Sequence, residues 1–324
     1  MNDKRQRSKK HHWVPQLYLS RFANERQQLL TVDLATGKRF RQSIRDAAAA
    51  NNYNEIVEED GSKSDWAEGY FAQLEGNTAR SITEILDKGV FPPRGEDRLW
   101  LAFHVAFQHL RSPVARRFHD ELAEHTFKLE IAAGGPNRLR DVLEAEGFTA
   151  SDDDVAEHWD AISAFDWSLA MPTSEHIRLA LELGSEVAPA IASMHWNLVH
   201  FERKRLLTSD HPVGLMSTAD KPSWMGMGFF NATLISLPLD RRTALLIRPL
   251  LPIERSVPEN AAIPPTAKFA RILNQLTVNS ADRWVYHHPE DDPTAYLDLR
   301  YAPGSLRASG LTLSKLASMH ETGA

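Results

Sequence analysis

No cysteine occurs anywhere in the 324 residues. That excludes disulfides, thiolate zinc sites and cysteine nucleophiles, and it fits a chain kept in a reducing cytosol. No stretch approaches the roughly 18 uninterrupted apolar residues of a membrane span, so no membrane partner is expected. The basic start runs into His11-His12-Trp13 instead of an apolar run of about seven residues, which argues against a secretory leader and for a cytoplasmic protein. Nucleotide motifs are missing as well. Gly226-Met227-Gly228 lacks a third glycine and opens no helix, and there is no phosphate-cradling G-x-x-x-x-G-K-[ST] segment, so no nucleotide cofactor is expected. Neither a G-x-S-x-G elbow nor an H-E-x-x-H pair is present. Repeats at solenoid periods and long Pro/Gly/Ser linkers are absent too.

What is present is ordinary for a soluble globular chain: 42% hydrophobic and 25% charged residues. The net charge of −6 is unevenly placed. The first twelve residues carry a net +4, from Lys4, Arg5, Arg7, Lys9 and Lys10 against Asp3, which leaves the remainder at −10. A basic tail over residues 1–8 reads as a disordered, solubilising end; contact with nucleic acid or an anionic lipid surface is the weaker alternative, the former opposed by the acidic remainder.

The segment Lys9–Phe22 packs two imidazoles, three aromatics and a proline close to the terminus, so it belongs to the core. Pro15 favours extended backbone at Val14 and the first turn of a helix over Gln16–Phe22, which leaves His11 and His12 extended and pointing to opposite sides. Alternation predicts a hairpin from Leu29–Asp33 and Arg39–Ser43. Alanine-rich Asp46–Ala50 reads as a short helix. A helical block over about 62–194 follows, with Gly134-Gly135-Pro136 as a break and Ser151 as an N-cap before three aspartates. From His195 the period changes to that of strands, at 195–201, 205–209, 232–237 and 243–247, with a last helix to about Asp282 and a strand at Trp284–Tyr286. The expected fold class is α+β: a mixed or antiparallel sheet built from N- and C-terminal strands, with the helical block between them. A single domain over 9–303 and a loose tail at 304–324 complete the layout.

Glu96–Leu110 is the most informative helix. Its apolar residues cover two flanks, and between them run His104, Gln108 and Arg111 at i, i+4 and i+7. Polar groups buried on such a helix need partners, and the expected one for Arg111 is Asp210, in the loop after a strand. The candidate site is therefore His11, His12, Gln108, Arg111 and Asp210. A divalent metal held by one histidine with Asp210 or His104 is open, although adjacent histidines rarely share an ion. Ser209-Asp210-His211 contains triad residue types, but adjacency in sequence gives no triad geometry. Met216, Trp224, Met225, Met227, Phe229 and Phe230 form an apolar loop expected to fold over the core, with a substrate lid or a partner surface as the alternative. His287-His288 ahead of Pro289 and three acids reads as a solvated turn.

Five segments carry a resemblance. His11-His12-Trp13-Val14-Pro15-Gln16-Leu17-Tyr18-Leu19, Gln108-His109-Leu110-Arg111-Ser112-Pro113, Leu207-Thr208-Ser209-Asp210-His211-Pro212-Val213, Ile235-Ser236-Leu237-Pro238-Leu239 and Asn274 resemble the DUF4238 family, a domain of unknown function, over about residues 9 to 287. Ser112 stands where a threonine is expected. The resemblance implies one domain and no particular chemistry. Three readings follow. The leading one is a hydrolase-like enzyme, phosphoester- or nucleic-acid-directed, in which Arg111 holds an anionic group and a histidine acts as base or ligand. The second is a non-catalytic ligand- or partner-binding module in which the same cluster fixes the fold. The third is a nucleic-acid binder acting through the tail.

Overall fold

In the computed structural model, the described residues are 10–57, 61–64, 66–145, 147–148, 150–217, 226–249 and 260–300. The basic tail, Trp224, Met225 and the 304–324 tail lie outside them. Two compact units form within the range of the single domain expected at 9–303. One comprises residues 10–115 with 173–300, the other residues 116–172.

The larger unit opens with β1 (Lys10–His12) and α1 (Gln16–Leu19), which tightens into a 3₁₀ turn at Ser20–Phe22. β2 (Gln28–Asp33) and β3 (Arg39–Ser43) form the expected hairpin. Asp46–Ala50 is not the helix its alanines suggest. β4 (Ala49–Asn51) pairs antiparallel with β1, and Ala48 has a positive φ of 47°, which a right-handed helix cannot contain. Tertiary bonds hold it there: the Trp13 N–H donates to the Ala48 carbonyl at 3.0 Å, and the Ala48 N–H donates to the Tyr286 hydroxyl at 3.2 Å. A two-residue pair, β5 (Ile56–Val57) and β6 (Lys63–Ser64), precedes the helices α2 (Trp66–Leu86) and α3 (Gly95–Leu110). α3 packs against α2 and is apolar nearly all round, so Leu101, Ala102, Val105, Ala106 and Phe107 are all buried.

α4 (Pro113–Ala145) is two helices met at a break, because Gly135 (φ 61°, ψ −154°) leaves the helical region just before Pro136. With α5 (Asp152–Ser163) the residues past 115 build the smaller unit around Ile131, Leu139 and Val155. Ser151 caps α5 in a capping box with Asp154. α6 (Thr173–Ser193) returns to the larger unit and lies on α3; a Cβ on Gly184 would sit 3.2 Å from the Phe103 ring.

The remaining strands are β7 (His195–His200), β8 (Thr208–Ser209), β9 (Gly214–Met216), β10 (Leu234–Pro238), β11 (Thr243–Arg248) and β12 (Ala261–Ile263), followed by α7 (Ala267–Ser280) and β13 (Trp284–His287). A five-stranded mixed sheet runs β12-β7-β11-β10-β9, with only the β12–β7 pair parallel. Its alternation splits the core cleanly: Trp196, Ile235, Leu237, Leu245 and Ile247 face α3 and its neighbours, while Val199, Leu234, Ala244 and Leu246 face α7 residues such as Leu273. The four-stranded antiparallel sheet β3-β2-β13-β8 joins the two ends of the chain, with Leu30 opposite His287 and Asp33 opposite Trp284. The fold is α+β. No helix among the described residues is long and apolar enough to cross a membrane.

Candidate functional site

Trp13 is the hub of the N-terminal segment. Its carbonyl accepts a 2.6 Å hydrogen bond from Gln108 Nε2, and its indole N–H donates to the Asp210 carbonyl at 3.0 Å. The Gln108 Oε1 in turn accepts from Arg111 Nη2 at 3.1 Å. So the structure brings Gln108, Arg111 and Asp210 to one buried place, with Asp210 joined through its main chain. His11 and His12 diverge as expected of neighbours on a strand. His11 Nδ1 accepts from the Asn54 N–H at 2.9 Å, and His12 Nε2 meets the Arg45 carbonyl at 3.2 Å. Burial, above all, lowers the His12 pKa below the usual imidazole value, with Lys10 and Arg111 adding repulsion.

The expected Arg111–Asp210 ion pair does not form. Arg111 Nη2 lies 3.7 Å from Glu75 Oε1, and its guanidinium sits over the Phe107 ring at 4.9 Å. The Asp210 carboxylate is spent on main chain: it accepts the N–H groups of Asp282, Arg283 and Trp284 at 2.8, 2.9 and 3.0 Å, tying the end of α7 to β13. Three converging N–H donors supply what a buried carboxylate needs without a cation. Burial still pushes its pKa up, to about 7, with Asp282 adding to the rise against the pull of those donors. The turn at His287-His288 is also not solvated. Both rings are buried, and Asp291 beside them is taken by Arg241 Nε and Nη2 at 2.9 and 2.6 Å.

On another face of α3, roughly 140° round from His104 at 100° per residue, His109 reaches a residue that the candidate set omitted. His211 Nε2 and His109 Nδ1 are 2.9 Å apart, with ring centroids at 4.7 Å. The other nitrogen of His211, Nδ1, lies 3.0 Å from the Ser280 carbonyl. A carbonyl only accepts, so His211 Nδ1 carries its proton and His211 Nε2 accepts from His109 Nδ1–H. That assignment puts the proton shared between the rings on His109 Nδ1. Both rings line a cavity of about 260 Å³ together with Leu215, Met216, Met227 and Leu276. Phe229 sets its ring edge-on to His109 at 5.0 Å. The methionine- and phenylalanine-rich stretch thus contributes Met216 and Met227 to this wall, and the signal for the site lies in two sequence segments, Gln108-His109 and Asp210-His211.

Among the described residues, no three His, Asp or Glu side chains are placed to hold one metal ion. The chain matches the family described as "Protein of unknown function (DUF4238)" over residues 10–291. It belongs to that family. No curated protein and no solved structure matches the chain. Within the DUF4238 match lie all five candidate residues and both members of the histidine pair.

Proposed function

We propose that this DUF4238 protein is a cytoplasmic hydrolytic enzyme whose general acid–base group is the His109–His211 pair. The observation that carries the reading is the 2.9 Å imidazole–imidazole bond on a cavity wall, with its tautomers set by the Ser280 carbonyl. In the mechanism, the histidine pair takes a proton from water as the water oxygen attacks an acyl carbon. The positive charge is shared through the bond between the rings, and the same proton is then delivered to the departing alcohol. Among the described residues, the cavity is lined by no Arg or Lys, which favours an uncharged ester over the phosphoester that Arg111 was expected to hold. His11, His12, Gln108, Arg111 and Asp210 then serve as the frame behind the pair. The absence of cysteine supports the cytoplasmic assignment.

A non-catalytic binding module is the second reading, favoured by the way Gln108, Arg111 and Trp13 satisfy one another inside the core. Assays with p-nitrophenyl acetate, p-nitrophenyl butyrate and bis-p-nitrophenyl phosphate separate the two. The parent protein is expected to hydrolyse an acyl ester. His109→Asn and His211→Asn should each lower the rate by about a hundredfold or more, the scale of general acid–base catalysis, while melting as folded proteins. Turnover of none of the three substrates, or turnover that both variants keep, would overturn the enzyme reading.

A further inference from the structure

A second cavity, of about 330 Å³, lies between α1 and α2, and α3 closes it with His104. We propose that this cavity, lined by His104 and Thr78, binds a neutral, flat, hydrogen-bonding small molecule of the nucleobase class. Two buried polar atoms argue for an occupant. His104 Nε2 and Thr78 Oγ1 have no hydrogen-bond partner among the described residues, although the two residues are only 2% and 3% exposed. Buried polar groups in native proteins are nearly always paired. Thr78 is the more telling of the two, because a helical hydroxyl has a partner within reach in the carbonyl four residues back. Ser81, on the same helix, uses that partner, donating to the Asn77 carbonyl at 3.1 Å. Thr78 does not; its hydroxyl is left without a partner on a residue that lines the cavity.

The chemistry of the walls selects the ligand. Burial, reinforced by the charge of Arg111, lowers the His104 pKa to about 3, so the ring is neutral and offers one N–H and one lone pair. Thr78 likewise offers a donor and an acceptor. The charged groups at the margin already face opposite charge: Arg21 Nη1 lies 3.3 Å from Asp87, and Glu75 lies 3.7 Å from Arg111. No net charge is left for an ionic ligand. Pro15, Leu17, Ala79, Ile82 and the Tyr18 ring supply apolar surface for a flat ring. The volume is at the low end of the roughly 300–1,000 Å³ of small-molecule sites. A heterocycle whose edge alternates donors and acceptors matches imidazole and hydroxyl together.

The test is saturation-transfer NMR on the full chain with adenine, hypoxanthine and uracil, and with benzoate as a flat anion. At least one base is expected to bind while benzoate does not. Thr78→Val, nearly isosteric, should weaken that binding about tenfold or more, and His104→Phe, which fills the cavity, should abolish it. Should His104→Phe fail to fold, Thr78→Val alone decides. No response to any base, equal binding of benzoate, or binding that Thr78→Val leaves unchanged overturns the proposal. Because the readout is binding at a different cavity, it stands or falls apart from ester hydrolysis.

Discussion

Replacing Gln108 by leucine separates a frame residue from a working one. The side chain is 1% exposed and bridges two buried groups: it donates to the Trp13 carbonyl and accepts from Arg111 Nη2. Leucine has nearly the same volume and neither function. Leaving a buried carbonyl unpaired costs about 1–3 kcal/mol, and removing an acceptor from a guanidinium costs about 1.5–3 kcal/mol. The added apolar burial offsets about 1 kcal/mol of this. The net loss comes to about 3 kcal/mol, which for a unit of this size lowers the thermal midpoint by about 6–12 °C. Circular-dichroism melting of the parent, Gln108→Leu, Arg111→Met and the double variant measures it, and the double variant should show a coupling of about 1 kcal/mol or more. A midpoint equal to or above the parent's would refute the reasoning. It would mean that Gln108 is held at a cost in stability, as side chains kept for a ligand are.

Two further outcomes are expected. His104 is held neutral, its folded pKa of about 3 lying below the ordinary 6.5, so its contribution to stability is complete above pH 6.5 and lost as pH falls toward 3. By pH 5 the parent should have lost about 2 kcal/mol relative to His104→Phe, and melting curves for the two that run parallel between pH 7 and pH 5 would contradict this. Gly214→Ala places a Cβ 2.7 Å from Leu276 Cγ; such overpacking costs about 1–3 kcal/mol, and urea unfolding should show it as a lowered midpoint at unchanged slope.

Local pattern exposed much of this fold. The two-flank apolar helix α3, the glycine break at Gly135, the Ser151 cap and the β2–β3 hairpin all follow from side chains a few residues apart. What escaped depends on partners far along the chain. Ala48 leaves helical backbone because Trp13 and Tyr286 hold it. β9 and β12 are three residues each and exist only through their neighbours in the sheet. Charge complementarity suggested Arg111 with Asp210, but composition cannot reveal that three peptide N–H groups at 282–284 converge on that carboxylate. Trp13, Gln108 and the Asp210 main chain do meet, since each was driven inward by apolar neighbours. The histidine pair is different: His109 and His211 sit in sequence beside the residues chosen as candidates, and only the turn of α3 shows which of them faces a cavity.

The sheet β3-β2-β13-β8 has a consequence for how the chain is made. Its first hairpin is complete at Ser43, yet the strand that covers the other edge of β2 begins at Trp284. A ribosome releases the hairpin long before that partner exists, and closing so long a loop carries an entropic toll that slows folding. Until then β2 presents an unpaired edge, the kind of surface that recruits other strands. Fragments ending before residue 287 should therefore be taken up by chaperones or aggregate instead of forming a partial domain. A nascent chain stalled just short of β13 should stay sensitive to protease across the hairpin, and become resistant once Trp284–His287 has cleared the exit tunnel.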